Sequence, residues 1–204
     1  MTKVRFDILT STCIPLPLEN VDTDQIIPAR FLSATSREGF GENLFRDWRF
    51  DKTGVKNMDF TLNNSEYNGK ILVSGKNFGC GSSREHAVWA IYDYGFRAVV
   101  SSFFGDIFKN NALNNGLLPV VISEKLLADL LACVKETPKT MLKIDLQQQL
   151  FMVPAMGVSV VFDINSYKKE CLLIGLDDID YLLGIQKHIT DHEIKTGSDE
   201  DRNN

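Results

Sequence analysis

The chain has 204 residues, 44% of them hydrophobic, and a formal net charge of −5 at pH 7. That length suits one domain with an ordinary apolar core, and an acidic balance without a Lys/Arg-rich run argues against nucleic-acid and anionic-membrane partners. No apolar stretch reaches the length of a membrane span and no signal-peptide apolar region opens the chain, so a cytoplasmic location is expected.

The N-terminal third predicts short strands followed by a long loop. Residues 4–18 read as one or two strands that end at Pro15 and Pro17, because proline cannot donate a ladder hydrogen bond. Residues 20–32 then predict a polar turn leading into a short apolar element. Residues 33–57 are rich in Gly, Arg, Asp and aromatic side chains without clear periodicity, which predicts a long loop excursion with a functional role.

Strands and helices alternate in the middle of the chain. The patterns predict strands at 71–75, 97–102 and 117–122 and helices at 84–94, 105–115 and 123–136. Gly95 and Gly116 end the first two of these helices, and Ser123 caps the third. Such alternation predicts an α/β domain of parallel strands joined by crossover helices.

After Pro138 the pattern changes to shorter strands with turn-like connections. Strands at 141–146, 149–153 and 158–162 predict a second, largely antiparallel layer, followed by helices at 165–173 and 177–189. We expect a single domain over residues 1–195 and a disordered polar tail at 196–204.

The stretch 79–87, Gly-Cys-Gly-Ser-Ser-Arg-Glu-His-Ala, predicts a site on the first turn of a helix. Its glycines follow a buried strand and permit a tight turn. Ser82 and Glu85 have capping-box spacing, which makes Ser82 the expected N-cap. Helix N-terminal N–H groups and the planar fork of Arg84 both favour a carboxylate, so a small-anion site that includes a hydroxyl group is expected.

The four cysteines, Cys13, Cys80, Cys133 and Cys171, are widely separated in the sequence. The absence of a Cys-x-x-Cys pair argues against an iron–sulfur cluster or zinc site held within this chain. Cys80 lies beside the predicted helix N-terminus, where a thiolate could be stabilised. We favour a small residue packed in the turn over a nucleophile, because the sequence shows no base partner for it.

The full string at 79–87 resembles the signature of the swivelling domain of the aconitase superfamily. Residues 20–32, Asn-Val-Asp-Thr-Asp-Gln-Ile-Ile-Pro-Ala-Arg-Phe-Leu, resemble the opening motif of one branch, the small subunits of 3-isopropylmalate dehydratase. Segments 39–49 and 106–119 are similar to the longer, bacterial type of that subunit. The resemblance covers roughly residues 4–190 and implies a β/β/α swivelling domain with a mainly parallel sheet and a second antiparallel layer.

The resemblance also implies a reaction and a partner. The family interconverts 2-isopropylmalate and 3-isopropylmalate by dehydration and rehydration through isopropylmaleate, in leucine biosynthesis. The Lewis acid is implied to be a [4Fe–4S] cluster on a separate large subunit, so this chain would be a hydro-lyase subunit that is incomplete alone. The partner-facing surface would make self-association of the isolated chain plausible.

The resemblance places the catalytic base on Ser82 and substrate-binding roles on Ser83 and Arg84. It makes Asp24 a residue that orients groups at the site. Arg30 could approach the substrate, and a structural ion pair is an equally acceptable interpretation of it. A serine hydroxyl is a weak base, so its alkoxide would need the helix N-terminal amides and Arg84 for stabilisation.

Other polar residues near the motifs favour structural roles. Asp22 and Thr23 are expected to form a turn, and His86 is expected to pack on its helix rather than act as a general base. The 33–57 excursion either senses the isopropyl group or contacts the large subunit, and its sequence favours neither.

Three other functions are compatible with parts of the sequence. A sibling hydro-lyase would act on another malate derivative of the citraconate, dimethylmalate or homoaconitate type. A serine hydrolase would use Ser82 as nucleophile, but the chain lacks a Gly-x-Ser-x-Gly elbow and an obvious His/Asp pair. A non-catalytic module would bind a dicarboxylate without turning it over.

Overall fold

The computed structural model describes residues 5–33, 38–82 and 84–175, in which two four-stranded sheets form the framework. The strands are β1 (Ile8–Ser11), β2 (Cys13–Leu16), β3 (Ile71–Ser74), β4 (Ala98–Ser101), β5 (Leu118–Val121), β6 (Leu142–Asp145), β7 (Leu150–Val153) and β8 (Val158–Val161). One sheet is parallel with the order β2-β3-β4-β5, and the other is antiparallel with the order β1-β6-β7-β8. The predicted α/β domain with a second antiparallel layer is confirmed.

The helices within the described ranges follow the predicted alternation. They are α1 (Thr23–Ile26), α2 (Arg46–Arg49), α3 (Glu85–Tyr94), α4 (Asp106–Asn114), α5 (Glu124–Glu136) and α6 (Ser166–Ile174). Gly95 ends α3 with a left-handed φ of 119°, and the Ser123 side chain accepts the Leu126 N–H at 3.2 Å to cap α5. The expected helix at 177–189 and tail at 196–204 lie outside the described residues.

Alternating side chains place the parallel sheet between two apolar layers. Leu72 and Val99 belong to the core shared with α1 and α3, whereas Ile71 and Val73 belong to the core shared with α5 and the antiparallel sheet. Strands buried on both faces read as continuous apolar runs, and β3 and β4 are buried at every position. The result is a β/β/α layering with both faces of the parallel sheet covered.

The expectation that Pro15 ends its strand is wrong. Pro15 lies inside β2 opposite Val73, and Pro119 lies inside β5 opposite Val99. Both strands are edges of the parallel sheet, where one side of the strand has no ladder partner and a missing N–H removes no bond. Edge position depends on strand order, which local sequence does not encode.

None of the helices in the described part of the chain is long and apolar enough to cross a membrane.

Candidate active site

The glycine-rich loop at 79–84 lies at the carboxyl ends of the parallel strands. The segments that follow β2, β3 and β4 extend the sheet pairing beyond the strands, through bridges between Asp22 and Cys80 and between Phe78 and Phe104. Ligands of open parallel sheets bind in the crevice outside these strand ends. The fold therefore places the 79–84 loop where a small-molecule site is expected.

Two glycines of this loop have backbone conformations that L-residues rarely adopt. Gly79 has φ +73°, and a Cβ there would lie 2.2 Å from Cγ of Phe108 on α4. Gly81 has φ +87°, and a Cβ there would lie 3.2 Å from a carboxylate oxygen of Asp22. The glycines thus permit both the tight turn and the close approach of neighbouring segments.

The segments 22–24 and 80–84 run side by side. Asp22 pairs with Cys80, the Thr23 hydroxyl donates to the Ser82 carbonyl at 2.8 Å, and Asp24 forms an ion pair with Arg84. The sequence predicts that Ser82, Arg84 and Asp24 share a site, and these contacts bring the backbone of Ser82 and the Asp24–Arg84 pair into adjoining segments. Ser83 lies outside the described residues. The contact made by Thr23 was missed, because an Asp-Thr-Asp run is also an ordinary turn sequence.

The prediction that Ser82 caps α3 is wrong. The helix begins at Glu85, and its N-cap residue is Arg84, whose side chain makes no capping hydrogen bond. The Glu85 carboxylate instead accepts hydrogen bonds from Nδ2 of Asn115 at 3.0 Å and Nε1 of Trp89 at 3.2 Å. Ser82 is an exposed residue of the turn before the helix, so its hydroxyl is accessible to a ligand.

A capping box does occur nearby, at the start of α1. The Asp22 side chain caps this helix, and the Asp22 N–H donates to Oε1 of Gln25 at 2.9 Å. The predicted turn-forming role of Asp22 is confirmed. The capping box fixes Asp22 immediately before Thr23 and Asp24.

Arg84 and Asp24 contribute the principal charges of the loop. The Arg84 side chain is only 16% exposed, whereas that of Asp24 is 50% exposed. Nη1 of Arg84 donates to Oδ1 of Asp24, which fixes one edge of a planar group that has five N–H donors. The pair is therefore an oriented guanidinium at the rim of the crevice.

Arg30 forms an ion pair with Asp47 of α2. Its Nη1 donates to Oδ2 of Asp47 at 3.0 Å, Nη2 bonds the other oxygen, and its guanidinium lies 4.7 Å from the Phe31 ring centre. Hydrogen bonding to Asp47 raises the pKa of Arg30, and the same bonds lower the pKa of Asp47. Of the two interpretations of Arg30, the ion pair is present; contact with substrate stays a prediction.

The described part of the 33–57 excursion packs on the helix that follows the loop. Phe40 is buried against the rings of His86 and Trp89, and the Gly41 N–H donates to Oδ2 of Asp93 at 2.8 Å. His86 also lies 4.5 Å from the Trp89 ring, centre to centre, which confirms the prediction that it packs on its helix.

The Cys80 thiol is in an environment that opposes ionisation. Burial raises its pKa, and the negative charge of Asp22 raises it further. The expectation that a thiolate could be stabilised there is therefore wrong, because the nearby charge of Asp22 is negative and α3 begins five residues after Cys80. The packed interpretation of Cys80 agrees with this environment.

Comparisons with known proteins show which family the chain resembles. Residues 4–125 match the family model of the aconitase C-terminal domain. A 3-isopropylmalate dehydratase small subunit from Azobacteroides pseudotrichonymphae is 58% identical over 190 residues, 93% of this chain and 96% of the relative. A protein of the same name from Christiangramia forsetii is 60% identical over 178 residues, 87% of each chain. A crystal structure of 3-isopropylmalate dehydratase from Methanocaldococcus jannaschii superposes with a TM-score of 0.64 at 28% identity, covering 91% of this chain and 99% of that one.

Proposed function

Because the chain belongs to the family of 3-isopropylmalate dehydratase small subunits, we propose that it is the small subunit of that hydro-lyase. The reaction interconverts 2-isopropylmalate and 3-isopropylmalate. It removes water to give isopropylmaleate and adds water back with the hydroxyl on the neighbouring carbon, a step of leucine biosynthesis.

The observation that carries this proposal is the Arg84 guanidinium, oriented by Asp24, in the same loop as the exposed Ser82. A malate derivative has two carboxylates, and a planar arginine recognises a carboxylate with two parallel hydrogen bonds. Arg84 binds one carboxylate, Asp24 holds Arg84 in place, and Ser83 is a further proposed substrate-binding residue. Arg30 is the candidate for a further substrate contact.

Ser82 is the proposed base that takes the proton from the substrate carbon. A serine alkoxide needs positive charge nearby, which Arg84 and the N-terminal end of the ten-residue helix α3 supply. Because Ser82 is exposed and is not the N-cap of α3, its hydroxyl is available to the substrate.

The leaving hydroxyl requires a Lewis acid, which in this proposal is a [4Fe–4S] cluster on the large subunit. Within residues 5–33, 38–82 and 84–175, no group of three or more His, Cys, Asp or Glu side chains could hold a metal ion. The described residues thus offer no ligand set for such a group, and the chain's own share is to bind the carboxylate and move the proton.

The test is anaerobic turnover by the assembled enzyme. The chain is mixed with a cluster-loaded large subunit, and isopropylmaleate formation from 3-isopropylmalate is followed by ultraviolet absorbance. We expect turnover only when both subunits are present and a loss of about 10²-fold or more in Ser82→Ala. Ser159→Ala, at an exposed position on β8, is the matched control.

Each outcome has a definite meaning. Turnover that survives in Ser82→Ala removes the base assignment and leaves the function. No turnover by an assembled complex with an intact cluster removes the isopropylmalate assignment, and citraconate, dimethylmalate and homoaconitate are then compared as substrates.

A further inference from the structure

Thr23 is buried against the loop that carries Ser82 and binds this loop twice. Its side chain is 2% exposed. Its N–H donates to the Cys80 carbonyl at 3.0 Å, and its hydroxyl donates to the Ser82 carbonyl at 2.8 Å. Gly81, between these two carbonyls, has a φ of +87°. Thr23 therefore holds the loop on both sides of Gly81, a residue type whose backbone can adopt many conformations.

The element that carries Thr23 is itself fixed. Thr23 is the first residue of α1, its carbonyl accepts the Ile27 N–H at 3.0 Å, and both Ile26 and Ile27 are fully buried. Ser82, in contrast, is exposed and belongs to a turn rather than to a strand or helix. Within the described residues, Thr23 supplies the one side-chain hydrogen bond to the Ser82 backbone.

We propose that Thr23 is a positioning residue that sets the orientation of Ser82 for proton transfer. A bond to the Ser82 carbonyl restricts rotation about the Cα–C bond of that residue, and so the direction of the Cα–Cβ bond that carries the hydroxyl. Proton transfer is sensitive to such placement, because a displacement of about 1 Å can reduce the rate by about 100-fold. This inference rests on the proposed function, in which Ser82 is the base.

Two substitutions separate the hydroxyl from the shape of the side chain. Thr23→Val keeps the branched shape and removes the donor, whereas Thr23→Ser keeps the donor and removes a methyl group. In the assembled enzyme we expect Thr23→Val to lower kcat by about 10- to 100-fold with KM within about threefold of wild type. Thr23→Ser is expected to restore kcat to within about threefold of wild type.

Thr140→Val is the matched control. Thr140 is 3% exposed and its hydroxyl donates to the Thr137 carbonyl at 2.7 Å, at the end of α5 and away from the loop. The same chemical change there should lower the unfolding temperature and leave kcat unchanged. The proposal is overturned if Thr23→Val keeps kcat within about twofold of wild type, roughly the scatter of such comparisons. It is also overturned if Thr23→Ser lowers kcat as much as Thr23→Val does, or if Thr140→Val lowers kcat by the same factor.

Hydrogen–deuterium exchange of the isolated chain gives a second measurement that needs no substrate. Thr23→Val should speed exchange of the Gly79 and Cys80 amides, and Thr23→Ser and Thr140→Val should not. If the wild-type assembly makes no isopropylmaleate, the proposed function fails, and unchanged exchange in Thr23→Val would separately remove the positioning role.

Discussion

The carboxylate of Asp24 accepts a hydrogen bond from the guanidinium of Arg84, 60 positions later in the chain. The pair joins the segment after β2 to the segment after β3, and its arginine is largely covered while its aspartate is half exposed. Because the Asp24 carboxylate is half exposed, solvent screens its charge and the pair adds little to stability. We propose that it serves to hold the guanidinium in one orientation within the loop that carries Ser82.

Asp24→Asn is therefore expected to weaken substrate binding more than it weakens the fold. The amide keeps the shape of the side chain but loses the charge that holds Arg84. We expect KM for 3-isopropylmalate to rise by about 10-fold, with a loss in unfolding free energy below about 1 kcal/mol. Steady-state kinetics of the assembled enzyme and urea unfolding of the chain measure the two quantities.

Asp129→Asn provides the comparison for this change. Asp129 pairs with Lys125 one helical turn away on the exposed face of α5, at 2.8 Å. This substitution should change neither kinetic constant. A KM for Asp24→Asn that equals the Asp129→Asn value would show that Asp24 does not orient the substrate-binding arginine.

Sequence patterns predicted the sheets and the site loop more accurately than the contacts within the loop. The strand–helix alternation was readable because each element carries its own apolar pattern and its own glycine or serine at the end, as at Gly95 and Ser123. The N-cap of α3 was not readable, since the Glu85 carboxylate, which the capping-box spacing assigns to the Ser82 N–H, accepts a hydrogen bond from Asn115, 30 residues away. Tertiary partners of this kind override local spacing.

The close packing behind the loop predicts a large cost for adding one methyl group. Gly79 has φ +73°, and a new Cβ would meet the Phe108 ring, which is itself 2% exposed and stacked among other aromatic rings. Gly79→Ala combines backbone strain with overpacking, so we expect it to lower the free energy of unfolding by about 3 kcal/mol. Equilibrium unfolding in urea measures the loss.

Gly157→Ala isolates the backbone part of that cost. Gly157 has a similar φ of +63°, but nothing lies within 4 Å of its would-be Cβ. We expect a loss of about 1 kcal/mol from the left-handed conformation alone. Equal losses in the two variants would mean that the Phe108 contact relaxes freely.

The Cys80 thiol should react slowly with alkylating reagents. Burial and the Asp22 carboxylate both disfavour the thiolate, so the pKa is raised and less thiolate exists at pH 8 than in a free cysteine. Alkylation by iodoacetamide, followed for each cysteine by peptide mass spectrometry, should be slower at Cys80 than in glutathione. The reaction should accelerate as the pH rises towards the raised pKa.

Asp22→Asn tests the electrostatic part of this effect. Asparagine is as good an N-cap as aspartate, so α1 keeps its cap while the negative charge beside Cys80 is lost. We expect alkylation of Cys80 to become about two- to fivefold faster at pH 8. Asp163→Asn, at an exposed position, should leave the rate of Cys80 alkylation unchanged. A wild-type alkylation rate at Cys80 above that of glutathione would contradict the raised pKa.

Arg49 joins several parts of the 38–57 segment through buried contacts. Its guanidinium is buried, donates to the Leu44 and Glu42 carbonyls at 3.2 and 3.3 Å, and lies 4.8 Å from the Tyr94 ring centre. Burial lowers its pKa, but an arginine stays charged at any physiological pH. Arg49→Met would leave carbonyls without donors in the interior, so we expect a loss of about 2–4 kcal/mol in unfolding free energy.

Arg46→Met is the control from the same short helix. Arg46 is half-buried and lies over the Phe50 ring at 3.9 Å, so its removal should cost less than about 1 kcal/mol. Since α2 also carries Asp47, the partner of Arg30, loosening the segment in Arg49→Met should release Arg30 as well. We expect faster proteolysis within residues 38–57 in Arg49→Met but not in Arg46→Met. Equal unfolding free energies of the two variants would show that the buried arginine does not hold this segment together.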